Sequence, residues 1–274
     1  MYLKEKSLKI LEVLAIFKFL STSQLITLKI AKYKSNIVSP LKELMFYNLI
    51  WKITFGVDPK KWKLENIYFL KAQGVKFLKE ELFYKENKNI KYPIWTYKMF
   101  YRDYFHRLFT IEFHIQLFIY LVQNNWTIEV FDTYFDKVGS NRIDANLKAK
   151  TKLIFNDGTY FIPDAICLYK KNNKEHIFVF EFYRWMDTKR VINQLYKHLN
   201  SLSQWLPSKA FNKKIGSKVL VLFETKIAMQ CLIKRFQIDA KFRNFDNLFI
   251  FNYLDNWNLF MLNWCDCHYN KVKL

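Results

Sequence analysis

Apolar residues recur at helical spacing along the first fifty positions of the chain. The stretch SLKILEVLAIFKFL (7–20) predicts a first helix, and SQLITLKIA, which begins among the capping hydroxyls of 21–23, predicts a short second one. After the break KYKS, a third helix is expected to reach about Ile50. This helix carries Lys34, Asn36, Ser39, Lys42 and Asn48. Pro40 is unfavourable inside it unless the helix starts near Ser39, because proline is tolerated only in the first turn of a helix.

Two strand-like runs follow these helices. LIWKITF and LENIYFL are joined by the polar turn GVDPKKWK, and KAQGVKFLKEELF then predicts an amphipathic helix. Three helices followed by a hairpin are typical of a winged helix-turn-helix domain, which places its third helix in the major groove of DNA. A small helical packing domain with a solvated lysine loop is the alternative. The candidate DNA-contacting residues are Lys34, Asn36 and Lys42 at the third helix and Lys60, Lys61 and Lys63 in the hairpin.

A polar stretch, ENKNIKYPIW, separates this half from the rest of the chain. We therefore expect a winged-helix domain over 1–88, a linker over 89–100 and a second domain over 101–274.

In the second half of the chain, stretches with the helical spacing of apolar residues alternate with strand-like stretches. Residues 104–125 predict a long helix and WTIEVFDTYF a strand, after which the turns NDG and KKNNKE divide the chain into an antiparallel meander of three strands. The helix DTKRVINQLYKHLNSLSQWL, the buried strand KVLVLFET, and one further helix and strand complete the domain. The predicted inward face of the first of these helices consists of Val191, Leu195, Leu199 and Leu202.

Two acidic residues lie in strands that are otherwise apolar. Glu181 interrupts IFVFEF, and Asp164 follows Pro163 in another apolar run. Ionised carboxylates are seldom buried without a partner. The order helix, three antiparallel strands, helix, strand resembles the core of PD-(D/E)XK nucleases, with Pro163-Asp164 and Glu181 at the motif positions. In such a site the two carboxylates bind Mg²⁺ or Mn²⁺, which polarises the phosphate and activates water.

Other side chains are candidates to complete this site. Tyr183 stands where the motif has lysine, so Lys189 or Lys197 is expected to supply the cation, and Gln194 and Lys197 to face phosphate. On the preceding helix, His106 or Glu112 is a further candidate. The alternatives are a structural ion pair of Glu181 with Arg184 or Arg190, and satisfied core histidines at positions 106 and 114.

Charge indicates the class of partner. The chain carries 44 Lys and Arg against 24 Asp and Glu, a formal charge of +20. This excess favours a polyanion as partner, and we expect DNA rather than a membrane surface.

No signal peptide or membrane span is expected, and four cysteines without framework spacing favour a reducing cytoplasm. Cys265, Cys267 and His268 lie together, but the sequence offers no second ligand pair and zinc clusters prefer cysteine pairs two to four residues apart, so no metal is expected there. No P-loop or dinucleotide fingerprint is present.

The whole arrangement resembles the plasmid replication-relaxation family, which includes the C-class mobilisation relaxases. The matching pieces are IYFLKAQGVKFL, FHRLFTIEF, Pro163-Asp164 and FEFYRWMDTKRVINQLYKHL. The resemblance implies a protein that binds double-stranded DNA at a plasmid or mobile-element origin, with replication or mobilisation proteins as further partners, and that nicks or relaxes supercoiled DNA there. Tyr183 replaces an acid that often follows the glutamate in that family, and Trp185-Met186 replaces a pair of small residues. An inactive nuclease fold serving as replication initiator, partition factor or transcriptional regulator is the alternative.

Overall fold

The computed structural model describes residues 3–58, 62–80, 90–93, 103–138, 148–184, 187–254 and 263–272. The chain is mixed α/β and divides into two compact units, Met1–Ile115 and Gln116–Leu274. The division falls inside a long helix, so the start of that helix belongs to the first unit. None of the described helices combines the length and apolarity needed to cross a bilayer.

The first unit combines helices with small antiparallel sheets. Its strands pair in the order β1-β5-β2, and β3 and β4 form a separate hairpin. The two-residue strand β1 was not predicted. The elements in chain order are α1 (Glu5–Phe17), β1 (Leu20–Ser21), α2 (Thr22–Thr27), α3 (Ser35–Phe46), β2 (Ile50–Ile53), β3 (Val57–Asp58), β4 (Trp62–Lys63), β5 (Ile67–Leu70) and α4 (Ala72–Glu80).

Capping interactions define the short helices. Ser21 accepts a hydrogen bond from the Gln24 N–H at 3.2 Å while Gln24 Oε1 accepts one from the Ser21 N–H at 3.0 Å, a reciprocal capping box that begins α2. Helix α3 begins at Ser35, at the end of the KYKS break, rather than near Ser39, and fully buried Ile37 lies on its inward face. Pro40 therefore lies inside the helix and cannot donate to the carbonyl of Asn36.

The loop that follows α3 packs closely against the backbone of α4. Asn48 has a left-handed backbone (φ 60°), which ends the helix earlier than predicted and returns the chain into β2. Gly74 of α4 lies against the loop between them, where an added Cβ would be 2.2 Å from the Leu49 carbonyl oxygen. Only glycine allows this approach without displacement of the backbone.

The second unit is built on a five-stranded sheet in the order β14-β13-β12-β11-β6. Strands β6, β11 and β12 are antiparallel, and β12, β13 and β14 are parallel. The long helix is α5 (Tyr104–Gln123), and the remaining elements are β6 (Thr127–Thr133), β7 (Lys137–Val138), β8 (Lys148–Ala149), β9 (Leu153–Ile154), β10 (Tyr160–Phe161), β11 (Ala165–Lys171), β12 (Lys174–Tyr183), α6 (Thr188–Ser203), α7 (Leu206–Ala210), β13 (Ser217–Phe223), α8 (Lys226–Ile238) and β14 (Phe249–Tyr253).

The predicted meander requires one correction. The NDG turn joins β9 and β10, a two-stranded hairpin outside the main sheet, and the first strand of the antiparallel set is β6. The register Ala165↔Thr133 shows why, since β6 occupies the edge of β11 that the 151–155 strand would have used. The second predicted turn is tight rather than loose, because Asn172 and Asn173 both adopt positive φ between the paired residues Lys171 and Lys174.

Helices α6 and α8 cover one face of the parallel part of the sheet. Their core includes Val191 and Leu195 of α6, Val221 of β13 and Leu232 of α8, each at most 4% exposed. The inward stripe of α6 is Val191, Leu195, His198 and Leu202, rather than the predicted stripe with Leu199, which is only partly buried. A histidine therefore faces the sheet from the middle of α6.

Candidate active site

The fold brings Asp164 and Glu181 together. The β11–β12 register pairs Ala165 with Phe180, which places Asp164 opposite Glu181 one step further along. Side chains at directly opposed positions of an antiparallel pair lie on the same face. The N–H of Phe182 donates to Asp164 Oδ2 at 2.8 Å, and the two acids are 9% and 5% exposed. The sequence therefore predicted a genuine pair of buried carboxylates.

The surroundings of the pair disfavour the ionised form of Glu181. Burial, and then the negative charge of Asp164, raises the pKa of Glu181 well above its usual value. The backbone N–H of Asp164 and the charge of Lys197 act in the opposite direction but do not cancel the increase. A cation between the carboxylates would relieve both contributions.

His198 is the direct partner of Glu181. Its Nε2 lies 2.8 Å from Glu181 Oε1, and the Phe161 ring packs edge-on against the imidazole with centroids 4.8 Å apart. Burial lowers the pKa of His198 to about 3, so the imidazole is neutral and the contact is a hydrogen bond rather than an ion pair. The alternative of an ion pair between Glu181 and Arg184 is not what the structure shows, since Arg184 lies 3.7 Å from Glu224.

His198 was missed in the sequence, although a signal was present. Val191, Leu195 and Leu202 have helical spacing, and position 198 falls on the same stripe. A histidine at an inward position of a helix that covers a sheet with a buried acid is a reason to pair the two.

Tyr183 occupies the same face as Glu181, two residues further along β12. Its ring packs on Phe223 with centroids 5.7 Å apart. The hydroxyl is buried and has no hydrogen-bond partner among the described residues. Burial, followed by the charges of Glu181 and Asp164, raises the pKa of Tyr183 well above its usual value, so the motif's lysine position carries a neutral phenol.

A polar groove of about 460 Å³ follows the outer side of α6 beside this pair. The charge of Lys197 lowers the pKa of Glu181, and that of Arg190 lowers the pKa of Tyr183, so Lys197 lies near Glu181 and Arg190 near Tyr183. The groove is lined by Asp187, Lys189, Arg190, Asn193, Gln194 and Lys197. Lys189, Gln194 and Lys197, which the sequence analysis selected, thus share one surface.

The remaining candidates belong to the first unit. His106 and Glu112 are half-buried on the part of α5 that precedes the division, whereas the carboxylate pair and groove are in the second unit. His114 is buried and packs edge-on against Phe17 with centroids 4.6 Å apart, as a core histidine does.

The DNA-contact candidates of the first unit are partly described. Lys34, Asn36 and Lys42 are exposed at α3, where Lys34 forms an ion pair with Glu65. Lys60 and Lys61 lie outside the described residues, and only the backbone of Lys63 is described, in β4. Of the predicted linker, residues 90–93 are described, and the Lys91 N–H donates to the Ala15 carbonyl at 2.8 Å.

Comparison of the chain with protein-family models, with curated proteins and with solved structures finds no match. Function is therefore inferred from the chemistry of these residues alone.

Proposed function

We propose that this protein binds double-stranded DNA at a plasmid or mobile-element origin and nicks it with a divalent metal ion held by Asp164 and Glu181. The observation that supports the nuclease activity is the pair of buried carboxylates, in which burial and the charge of Asp164 raise the pKa of Glu181, together with nearby Lys197 of a groove lined by three cations. The choice of an origin as the target follows the family resemblance. Perturbed acids in such a setting are typical of catalytic sites.

The donor chemistry suits Mg²⁺ or Mn²⁺. Both ions prefer carboxylate oxygens, and a cation would offset the repulsion that raises the pKa of Glu181. The Tyr183 hydroxyl is buried near both acids without a partner among the described residues, and water around a hydrated metal would satisfy it. A bound Mg²⁺ supplies Lewis-acid polarisation of the phosphate and an activated water.

Other side chains of the second unit would bind the DNA phosphates and orient Glu181. Lys189, Arg190 and Lys197 offer positive charge for the DNA backbone, and Gln194 offers an amide to a phosphate oxygen. His198 orients Glu181 through its 2.8 Å hydrogen bond. Residues that hold a metal-binding carboxylate in place commonly influence affinity as strongly as some ligands do.

The proposed architecture is a winged helix-turn-helix domain followed by a restriction-endonuclease-like domain. In the first unit, α1, α2 and α3 precede the β3–β4 hairpin, which is the element order of a winged helix. In the second, α5, β6, β11, β12, α6 and β13 follow the αβββαβ order, with β7 to β10 inserted after β6. The net charge of +20 over the whole chain supports DNA as the partner.

The deciding experiment uses supercoiled plasmid carrying the native origin. Wild-type protein should convert it to open circles with Mg²⁺ or Mn²⁺ and not with chelator, and Asp164→Asn or Glu181→Gln should abolish conversion while DNA affinity remains. Glu175→Gln is the matched control, because Glu175 starts the same strand and pairs with Lys213. Nicking that persists in both site variants would refute the proposal.

A second function is favoured by two features of the site. Glu181 is already hydrogen-bonded to His198, and the motif's lysine position holds a buried tyrosine. A nuclease fold retained only for DNA binding, in a replication initiator, partition factor or transcriptional regulator, would accommodate both. It predicts tight, salt-dependent DNA binding with no metal requirement and no open circles.

A further inference from the structure

Three side chains of different chemistry meet near the end of the second unit. Asp246 begins a 3-10 turn, Asp246–Leu248, and Cys267 and His268 lie in the segment 263–272. One carboxylate oxygen, the Cys267 Sγ and a ring nitrogen of His268 all lie within 4.8 Å of one another. Asp246 Oδ2 is 3.4 Å from His268 Nε2. Across the described ranges, no other three acidic, cysteine or histidine side chains gather in this way.

The loop that carries two of these residues is held by its own hydrogen bonds. Asp266 Oδ1 accepts from the N–H groups of His268 and Asn270 at 2.8 and 2.9 Å. Gln237 of α8 donates to the Cys267 carbonyl at 2.6 Å. The backbone of Cys265 pairs with Phe251 of β14. The backbone that carries Cys267 and His268 is thus held in place by the fold, which is what a preorganised metal site requires.

The donor set identifies the metal class. A thiolate, an imidazole and a carboxylate together are typical ligands of Zn²⁺, whereas Mg²⁺ takes oxygen ligands. Cys267 is buried, while the side chains of Asp246 and His268 are 41% and 60% exposed, so one side of the group faces solvent. Cys265, grouped with Cys267 in the sequence analysis, directs its thiol to the Phe251 carbonyl at 3.5 Å instead.

We propose that Asp246, Cys267 and His268 bind Zn²⁺ as three protein ligands, with water in the fourth position on the exposed side. On binding, the Cys267 thiol releases its proton to solvent as the Zn–S bond forms. The ion ties the C-terminal segment to the turn before β14. Asp246 is the ligand that sequence spacing did not supply, since it lies some twenty positions upstream of the cysteine.

The test is zinc retention by the full chain. Wild-type protein exposed to Zn²⁺ and then dialysed against metal-free buffer should retain one zinc per chain, measured by mass spectrometry. His268→Ala should bind zinc at least roughly tenfold more weakly in competition with a chromophoric chelator. His268 is exposed, so its replacement should leave the circular dichroism unchanged. Cys231→Ser removes an exposed cysteine outside the group and should retain the metal.

Two further variants identify which side chains hold the zinc. Asp164→Asn should retain one zinc, which distinguishes the site from the carboxylate pair of the proposed nuclease. Co²⁺ substitution should produce a thiolate-to-cobalt absorption band that Cys267→Ser loses. A wild-type chain that retains no zinc, or His268→Ala protein that binds zinc as tightly as wild type, would overturn the proposal.

Discussion

Nε2 of His198 lies 2.8 Å from Oε1 of Glu181, and both side chains are almost fully removed from solvent. Helix α6 and strand β12, which are consecutive in the chain, thus share one buried polar contact in the core of the second unit. A buried carboxyl group that has a partner costs far less than one without. This hydrogen bond therefore allows Glu181 to remain in an apolar strand when no metal is bound.

Replacing His198 by leucine should destabilise the metal-free protein. The substitution leaves Glu181 buried without its partner, which costs about 1–3 kcal/mol. Replacing both residues by leucine should restore much of that stability, because no unpartnered polar group then remains. Urea denaturation of the two single variants and the double variant in chelator measures the coupling. Additive effects in this cycle would show that the hydrogen bond does not contribute to stability, and exposed Asn193→Ala is the control.

The pH dependence of the unfolding free energy should distinguish the contribution of His198 from that of Glu181. His198 has its pKa lowered from 6.5 to about 3, so the unfolded state binds the extra proton and stability rises as pH increases through this interval. Glu181 has its pKa raised above 4.5, so its contribution is present below that value and is lost as pH rises. Unfolding free energies should thus rise more steeply with pH in Glu181→Gln than in wild type. His198→Leu should lack the rise between 3 and 6.5, and an unchanged profile in both variants would contradict this assignment.

Gly74→Ala should destabilise the first unit. The new methyl group would lie 2.2 Å from the Leu49 carbonyl oxygen, so the backbone must move, at a cost of about 1–3 kcal/mol. Gly216→Ala is the matched control, since nothing lies within 4 Å of its added Cβ. Thermal unfolding compares the two. If Gly74→Ala unfolds at the wild-type temperature, the close approach of α4 to the loop is not required.

The groove on α6 should contribute to DNA affinity. Replacing Lys189 and Lys197 by alanine should weaken binding and reduce the slope of log K against log salt by about 0.9 for each DNA phosphate that is no longer neutralised. Fluorescence anisotropy over a salt series measures both quantities. Lys174→Ala, an exposed lysine at the β11–β12 turn, should leave the slope unchanged. An identical slope in the double variant would exclude the groove from the DNA interface.

Part of the Asp164–Glu181 site could be predicted from the sequence. Asp164 and Glu181 stood out because they interrupt apolar strands, and hydrophobic periodicity predicted most of the helices and strands around them. Such patterns are local, because side-chain direction alternates in strands and recurs every 3.6 residues in helices. Helix α6 and its inward positions Val191, Leu195 and Leu202 follow from that rule.

Pairing between distant segments was decided only by the tertiary structure. The NDG turn is a strong local signal, yet its hairpin lies outside the main sheet because β6 pairs with β11 instead. Likewise, nothing in the sequence near Cys267 indicates Asp246. The helical stripe indicates that His198 points inward, but only the structure shows that it meets Glu181.

The sequence by itself determined which segments form helices and strands, where charge accumulates and which acids are out of place in apolar strands. The tertiary structure decided which partners those acids meet, which cation-bearing helix lies beside them and how the strands order across the sheet. The physical reason is that periodicity and capping act over a few neighbouring residues, whereas partner choice depends on packing and hydrogen bonds between segments far apart in the chain.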